Sequence, residues 1–274
     1  MYYLFRIFYF LASIKMLSKL WFIVYYLDFF RKPIVFKNLD IAFPKKSKKE
    51  KTKIAKNTYK NFLTFFEDTI EFDKNPQKYA EIKIIGENYL TDAINSNKPI
   101  ILMSAHFGNW EITPKFIAKK YNKPLAGVMR EIENEKINQF FKKIRADKNI
   151  KLINKQSGAK EIMKAMIKEK RILGILIDQY SRNENAPIVD FFVPTRFNPA
   201  VSKLAKATKA VVIPGFCYKE NGKYIIEFKK PKTFEKDIKE FTRWQAKEIE
   251  NIIRRYPDEY YWFHNRWKDI NENK

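Results

Sequence analysis

Residues that build disulfides and metal sites are scarce in this chain of 274 residues, which contains one cysteine and two histidines. A lone Cys217 excludes an internal disulfide framework and fits a reducing compartment. With His106, His264 and Cys217 as the only nitrogen and sulfur ligands of the usual kind, a zinc site is nearly excluded. We therefore expect no metal.

Acidic residues are few beside basic ones, with 31 Asp and Glu against 54 Lys and Arg and a formal charge of +23. Such a balance calls for a polyanionic partner: nucleic acid, an anionic lipid surface or a phosphorylated substrate. Aromatic residues make up 16% of the chain, which suits contact with lipid. A nucleic-acid-binding protein is only a remote alternative, because no DNA- or RNA-binding motif is present and the lysines are spread along the chain.

The N-terminal 30 residues are rich in aromatic and aliphatic side chains, but charges interrupt them at Arg6, Lys15, Lys19 and Asp28. No charge-free run reaches the roughly 18 residues of a membrane-spanning helix. Mixed aromatic and basic residues predict a helix that lies in, or shallowly enters, a membrane interface. The alternative is a buried aromatic helix of the core. We divide the chain into a membrane-anchoring or interfacial helix, residues 1–32, and a main domain, residues 33–274.

Strand and helix patterns alternate from residue 81 onward, which predicts an α/β fold with a layered mixed sheet flanked by helices. The longest apolar run, residues 171–177, is predicted to form the central strand. Earlier in the chain, Ser47 and Glu50 have the spacing of a capping box at the start of a long helix that ends near Phe72.

The stretch Lys98-Pro-Ile-Ile-Leu-Met-Ser-Ala-His-Phe-Gly-Asn-Trp-Glu111 concentrates the candidate chemistry. An apolar strand precedes His106, Gly108 provides a turn, and Glu111 falls in the first turn of the next helix. A histidine oriented by a carboxylate can act as a general base. The alternative is a histidine that merely hydrogen-bonds a neighbour. Because no serine stands in a nucleophile-elbow motif, the base would have to activate a substrate hydroxyl.

The segment from His106 to Glu111 resembles the His-x4-Glu/Asp motif of glycerolipid-type acyltransferases, and its flanks resemble the lipid A biosynthesis acyltransferases. The resemblance spans about residues 34–268 and involves several ordered blocks. These blocks are Asn38–Pro44, Asp178-Gln179, Asp190–Pro194, Ala205–Pro214 and Tyr260–Lys268. Val193 stands where the family usually has glycine, so the shape of that turn is open.

The resemblance implies a glycerolipid acyltransferase-like catalytic domain behind an N-terminal membrane anchor. It implies transfer of a fatty acyl chain from acyl-carrier protein to a Kdo-bearing lipid A precursor, at the cytoplasmic face of the inner membrane of a Gram-negative cell. Acyl-carrier protein would be a co-substrate, with no further cofactor. A different glycolipid or phospholipid acceptor is the alternative, since the His-Glu dyad is common to such enzymes.

The resemblance also assigns roles to residues. His106 and Glu111 would form the catalytic dyad. One essential arginine is expected between two strands, and Arg130 and Arg145 both remain candidates for it; a guanidinium there suits a phosphate or a polarised carbonyl oxygen. Further candidates for substrate binding are Asn109, Asp178, Gln179, His264 and Arg266. A structural role is the alternative for Asp178, His264 and Arg266.

Overall fold

The computed structural model describes residues 2–129, 133–145, 147–268 and 270. The α-helices of these residues are α1 (Tyr2–Ser13), α2 (Trp21–Leu27), α3 (Lys32–Ala42), α4 (Lys48–Lys74), α5 (Glu87–Asn95), α6 (Ile112–Tyr121), α7 (Glu135–Arg145), α8 (Gly158–Ile167), α9 (Ala200–Thr208) and α10 (Ile238–Arg255). Short 3-10 turns cover Ser18–Leu20, Pro76–Glu81, Lys155–Ser157 and Pro257–Glu259.

The strands are β1 (Lys83–Ile85), β2 (Ile100–Ser104), β3 (Leu125–Met129), β4 (Ile150–Asn154), β5 (Ile172–Leu176), β6 (Ile188–Phe191), β7 (Val193–Arg196), β8 (Val211–Glu220), β9 (Lys223–Phe228) and β10 (Lys232–Thr233). The main sheet runs in the order β1-β9-β8-β2-β5-β3-β4, and β10 pairs with β8. Strands β8, β2, β5, β3 and β4 are parallel, whereas β9 runs antiparallel to β8. β6 and β7 form a separate antiparallel hairpin.

Alternate residues of the sheet pack into two hydrophobic layers. Ile101 and Met103 of β2 belong to a core with α3, α4, α8, α9 and α10. Ile100 and Leu102 of the same strand face the opposite way, into a core with α5 and α6. Side chains of a strand alternate between faces, so a continuous apolar run is what a strand covered on both sides requires.

The predicted α/β class is confirmed: a mostly parallel sheet lies between helices. The capping box is also confirmed, because the Ser47 side chain accepts from the Glu50 backbone and the Glu50 carboxylate accepts from the Ser47 backbone. Residues 171–177 were predicted to form the central strand, but they contain β5, which lies beside the middle strand. The middle of the sheet order is β2. The β6–β7 hairpin was not predicted; its turn places Phe192, rather than Val193, at a φ of 62°.

The N-terminal helices α1 and α2 pack against the long helix α4. Among the described residues no single helix has the length and apolar character to cross a membrane. One bent pair, Arg6–Ser13 with Ser18–Leu27 at an angle of 109°, meets those criteria of length and composition together. The predicted membrane anchor therefore stays a prediction.

Candidate active site

His106 lies two residues beyond the carboxyl end of β2, on a loop held in place by main-chain hydrogen bonds. Its carbonyl accepts from the backbone N–H of Tyr261 at 2.9 Å, and the N–H of Gly108 donates to the carbonyl of Glu259 at 2.8 Å. Gly108 has a φ of 55°, and a Cβ at this position would stand 1.7 Å from the carbonyl oxygen of Cys217. Glycine is therefore required in the turn that carries the histidine.

The imidazole of His106 is hydrogen-bonded to Asp178, with 2.9 Å between Nδ1 and Oδ1. The backbone N–H of His106 donates to the same oxygen at 3.0 Å. The two residues meet because β2 and β5 are parallel neighbours with Ser104 opposite Leu176, and each side chain follows its strand by two residues. Such positions, beyond the carboxyl ends of parallel strands, are where open α/β sheets place their functional groups.

Asp178 is an ionised carboxylate in a buried position, with only 2% of its surface exposed. Burial alone raises the pKa of Asp178, but the charge of His106 and hydrogen bonds from its ring and backbone outweigh this, so the pKa lies below the ordinary value. A carboxylate only accepts, so in the neutral form of the imidazole the proton is on Nδ1. Nε2 is then a base, and it lies 3.4 Å from the side-chain nitrogen of Gln179.

The second carboxylate of the motif, Glu111, is bound by Arg145. Nε of Arg145 donates to the two carboxylate oxygens at 3.0 and 2.9 Å, and Nη2 donates to one of them as well. Glu111 occupies the N-cap position of α6, and Arg145 is the last residue of α7. Only 10% of the Glu111 side chain and 26% of the Arg145 side chain are exposed, so both charges are largely removed from water.

The predicted hydrogen bond between His106 and Glu111 is therefore replaced by two pairs, His106 with Asp178 and Glu111 with Arg145. The physical reason is the register of the sheet: β5 delivers a carboxylate directly beside the histidine, while the helix start directs Glu111 toward α7. Asp178 was among the predicted site residues, but its contact with the histidine was missed. A signal existed, because both residues follow an apolar strand by a short and similar interval.

The other predicted site residues differ in whether they contact His106. Asn109 is buried, and its side-chain amide donates to the Phe65 carbonyl at 3.3 Å and to the Thr69 hydroxyl at 3.2 Å, so it fastens the loop to α4. Gln179 reaches the His106 ring, as described above. Arg130 lies outside the described residues, so Arg145 is the candidate arginine that can be placed.

The C-terminal candidates make structural contacts. Arg266 is 1% exposed; it donates to the Thr195 hydroxyl at 3.3 Å and the Arg196 carbonyl at 3.1 Å, which supports the β6–β7 hairpin. His264 is partly buried, and burial lowers the pKa of its ring to about 4, so the ring is neutral near pH 7. The carbonyl of His264 accepts from the side chain of Asn38 at 2.7 Å.

A cavity of about 320 Å³ opens beside these two pairs and continues between the sheet and α6. His106, Glu111 and Arg145 line it together with Trp110, whose ring centroid is 5.1 Å from that of His106. The deeper lining is apolar, from β2, β3, β4, β5 and α6: Leu102, Ile117, Leu125, Gly127, Ile150, Leu152 and Gly174. A base therefore stands at one end of a pocket suited to a long apolar group.

Among the described residues, no group of three or more His, Cys, Asp and Glu side chains is placed to hold a metal ion. The chemistry that the geometry offers is proton abstraction by a histidine oriented by a carboxylate, beside a guanidinium that can contact an anionic group.

The chain is similar to known bacterial proteins over most of its length. A family model described as bacterial lipid A biosynthesis acyltransferase matches residues 7–269. A lipid A biosynthesis acyltransferase from Haemophilus influenzae is 26% identical over 233 residues, which cover 82% of this chain and 72% of that protein. Because the family model matches nearly the whole chain, this protein belongs to the bacterial lipid A biosynthesis acyltransferase family.

Proposed function

We propose that this acyltransferase moves a fatty acyl chain from the thioester of acyl-carrier protein to a hydroxyl group of a lipid A precursor of the Kdo-lipid IVA type. The observation that carries the proposal is the position of His106. Its Nδ1 is bound to Asp178, which leaves Nε2 as a base at the end of an apolar cavity. Membership of the family supports an acyltransferase in lipid A synthesis, and the donor and acceptor are our inference.

The reaction proceeds by addition and elimination at the thioester carbonyl. Nε2 of His106 removes the proton of the acceptor hydroxyl as its oxygen attacks the carbonyl carbon. The C–O bond forms, the tetrahedral intermediate collapses, and the C–S bond breaks. The imidazolium then returns its proton to the departing thiolate. Asp178 stabilises the imidazolium throughout, which is the role of the buried carboxylate in a triad.

Negative charge develops on the carbonyl oxygen during this reaction and needs hydrogen-bond donors. The backbone N–H groups of Phe107, Gly108 and Asn109 all donate to carbonyl groups of the protein, so these turn amides are not available for the developing charge. We assign this role to Arg145, the described arginine that lines the cavity together with His106. Glu111 would then act by holding that guanidinium in place, and Arg130 remains a second candidate.

The acyl chain of the donor fits the deeper part of the cavity. Its lining beyond the charged end is mostly apolar, and a hydrocarbon chain gains free energy by leaving water for such a surface. The thioester carbonyl at the end of that chain would then stand near Nε2 of His106. A deep, apolar pocket with convergent polar groups at one end is the shape that such a donor needs.

The charge of the chain suits both proposed partners. Acyl-carrier protein is acidic and the lipid A precursor is phosphorylated, and the formal charge of +23 favours encounter with each. We place the protein at the cytoplasmic face of the inner membrane. Exposed apolar side chains near the N-terminus support this placement, among them Phe10, Leu27, Phe29 and Phe30. An apolar surface beside many lysines suits an anionic lipid interface.

The test is transfer of a labelled acyl chain from acyl-carrier protein to a purified lipid A precursor. The wild type should form the acylated product, and His106→Ala should form none while remaining folded. Glu111→Ala should lose most activity, whereas Glu235→Ala, an exposed glutamate, serves as the matched control. Full activity in His106→Ala would refute the mechanism. A wild type that forms no product at any chain length would redirect the acceptor to another glycolipid or phospholipid.

A further inference from the structure

Two glycines in the middle of adjacent strands line the cavity. Glycine in the interior of a strand weakens a sheet. Gly127 of β3 stands opposite Gly174 of β5 in the sheet register. Leu102 of β2 is the other neighbour of Gly174, and Leu152 of β4 is the other neighbour of Gly127. One row across four strands therefore reads leucine, glycine, glycine, leucine.

Neither glycine is required by the protein itself. Their backbones are outside the left-handed region, so other residues could adopt the same conformation. A Cβ added to Gly127 would find Leu152 as its nearest neighbour at 3.9 Å, and one added to Gly174 would find the Ala126 carbonyl oxygen at 3.8 Å. Both distances are ordinary van der Waals contacts. The space above the two glycines belongs to the cavity and is available to an occupant.

The row of glycines lies at middle depth. Ser104 and Leu176 form the next pair on the same face, toward the carboxyl ends of the strands and so nearer His106. Toward the amino ends of the strands, two residues or about 7 Å away, Leu125 lies between Ile172 and Ile150. These larger side chains narrow the cavity. A chain that enters beside His106 therefore meets a widening at the glycine row before it meets bulky aliphatic residues.

We propose that Gly127 and Gly174 determine the longest acyl chain that this enzyme transfers, by leaving open the section of the cavity that receives the distal carbons. The proposal rests on the proposed function, because it takes the occupant to be the acyl chain of the donor. In it, the paired glycines are specificity-determining residues, and the leucines on either side form the walls of the section they open.

The experiment compares chain-length profiles. The full-length wild type and the variants Gly174→Ala, Gly174→Leu and Gly127→Ala are assayed with acyl-carrier protein charged with even-numbered saturated chains from octanoyl to stearoyl. A side chain that intrudes on a fitted methylene should lower kcat/KM for the longest accepted chain by about 10–200-fold. Activity with the shortest accepted chain should be retained, which shows that the variant is folded and its histidine is intact.

One further variant should have the opposite effect on the chain-length profile. Leu152→Ala removes a wall beside Gly127 and should shift the profile toward longer chains. If Gly174→Leu does not fold, the two alanine variants still test the idea, because each adds one methyl group into open space. Folded variants with the wild-type profile, or with an equal loss at every chain length, would overturn the proposal. A wild type that transfers no chain at all would instead refute the proposed function.

Discussion

Asp178 hydrogen-bonds the imidazole of His106, whereas Glu111, the carboxylate five residues after the histidine, is bound by Arg145. The histidine and the glutamate of the motif therefore belong to two separate pairs, a hydrogen-bonded pair with Asp178 and an ion pair with Arg145. One pair supplies a base and the other fixes a cation, and His106, Glu111 and Arg145 line the same cavity. The two pairs can be separated by mutation.

Asp178→Asn should lower kcat by about 10⁴-fold with little change in KM, the scale seen when the carboxylate of a catalytic triad is replaced by an amide. The asparagine can donate to Nδ1 and so stabilise the tautomer that leaves no base at Nε2. Steady-state kinetics with acyl-carrier protein as donor would measure the effect. Wild-type kcat in a folded Asp178→Asn variant would show that Asp178 does not orient the base.

Glu111→Ala and Arg145→Ala should each lower kcat/KM, and the double variant should be no worse than the more damaged single one. Residues that act as a unit have strongly non-additive effects, because removal of either partner already displaces the other. A double-mutant cycle on kcat/KM would reveal the coupling. If the free-energy losses of the two single variants simply add in the double variant, Glu111 acts independently of Arg145. The glutamate would then have a direct role in the reaction.

Phe29→Ser combined with Phe30→Ser should weaken binding to anionic vesicles by at least about tenfold, since full burial of each phenyl ring contributes about 1.5–3 kcal/mol. The two side chains are 71% and 87% exposed and lie far along the chain from the site. Co-sedimentation with vesicles would measure the change, and transfer activity in detergent should persist. Ile167→Ser, at another exposed aliphatic residue on α8, is the matched control. Equal binding by all three proteins would contradict an interfacial N-terminus.

Glu259→Gln should stabilise the protein in mildly basic solution. Burial first, and then the charge of Asp258, raise the pKa of Glu259 to about 7 from 4.5. Between these two values the folded protein binds more protons than the unfolded chain, so this group lowers stability as pH rises through the window. The cost is complete above about pH 7 and absent below 4.5.

Thermal unfolding at two pH values would detect this effect. At about pH 8 the variant should melt about 2–4 °C above the wild type, the shift expected for about 1 kcal/mol in a domain of this size. Near pH 4 the two proteins should melt together, because the glutamate is then protonated in both states. The same difference at both pH values would assign the effect to something other than titration of Glu259.

Several features of the protein follow from the amino-acid sequence alone. Apolar runs at residues 100–103 and 171–177 indicate strands buried on both faces, and the alternation with helices indicates the α/β class, because these patterns reflect local periodicity and burial. Ser47 and Glu50 define a helix start through contacts within one turn. The positions of His106 and Glu111, and the resemblance that identifies the family, are likewise readable in order along the chain.

The tertiary structure decided which side chains meet. The neighbour of His106 depends on the pairing of β2 with β5, and the partner of Glu111 depends on how α7 packs, so residues 72 and 34 positions apart become bonded. The cavity is likewise built from six strands and two helices, and the two glycines lie side by side only because of the strand register. Local sequence specifies elements, whereas strand order and register, set by packing over the whole domain, specify the site.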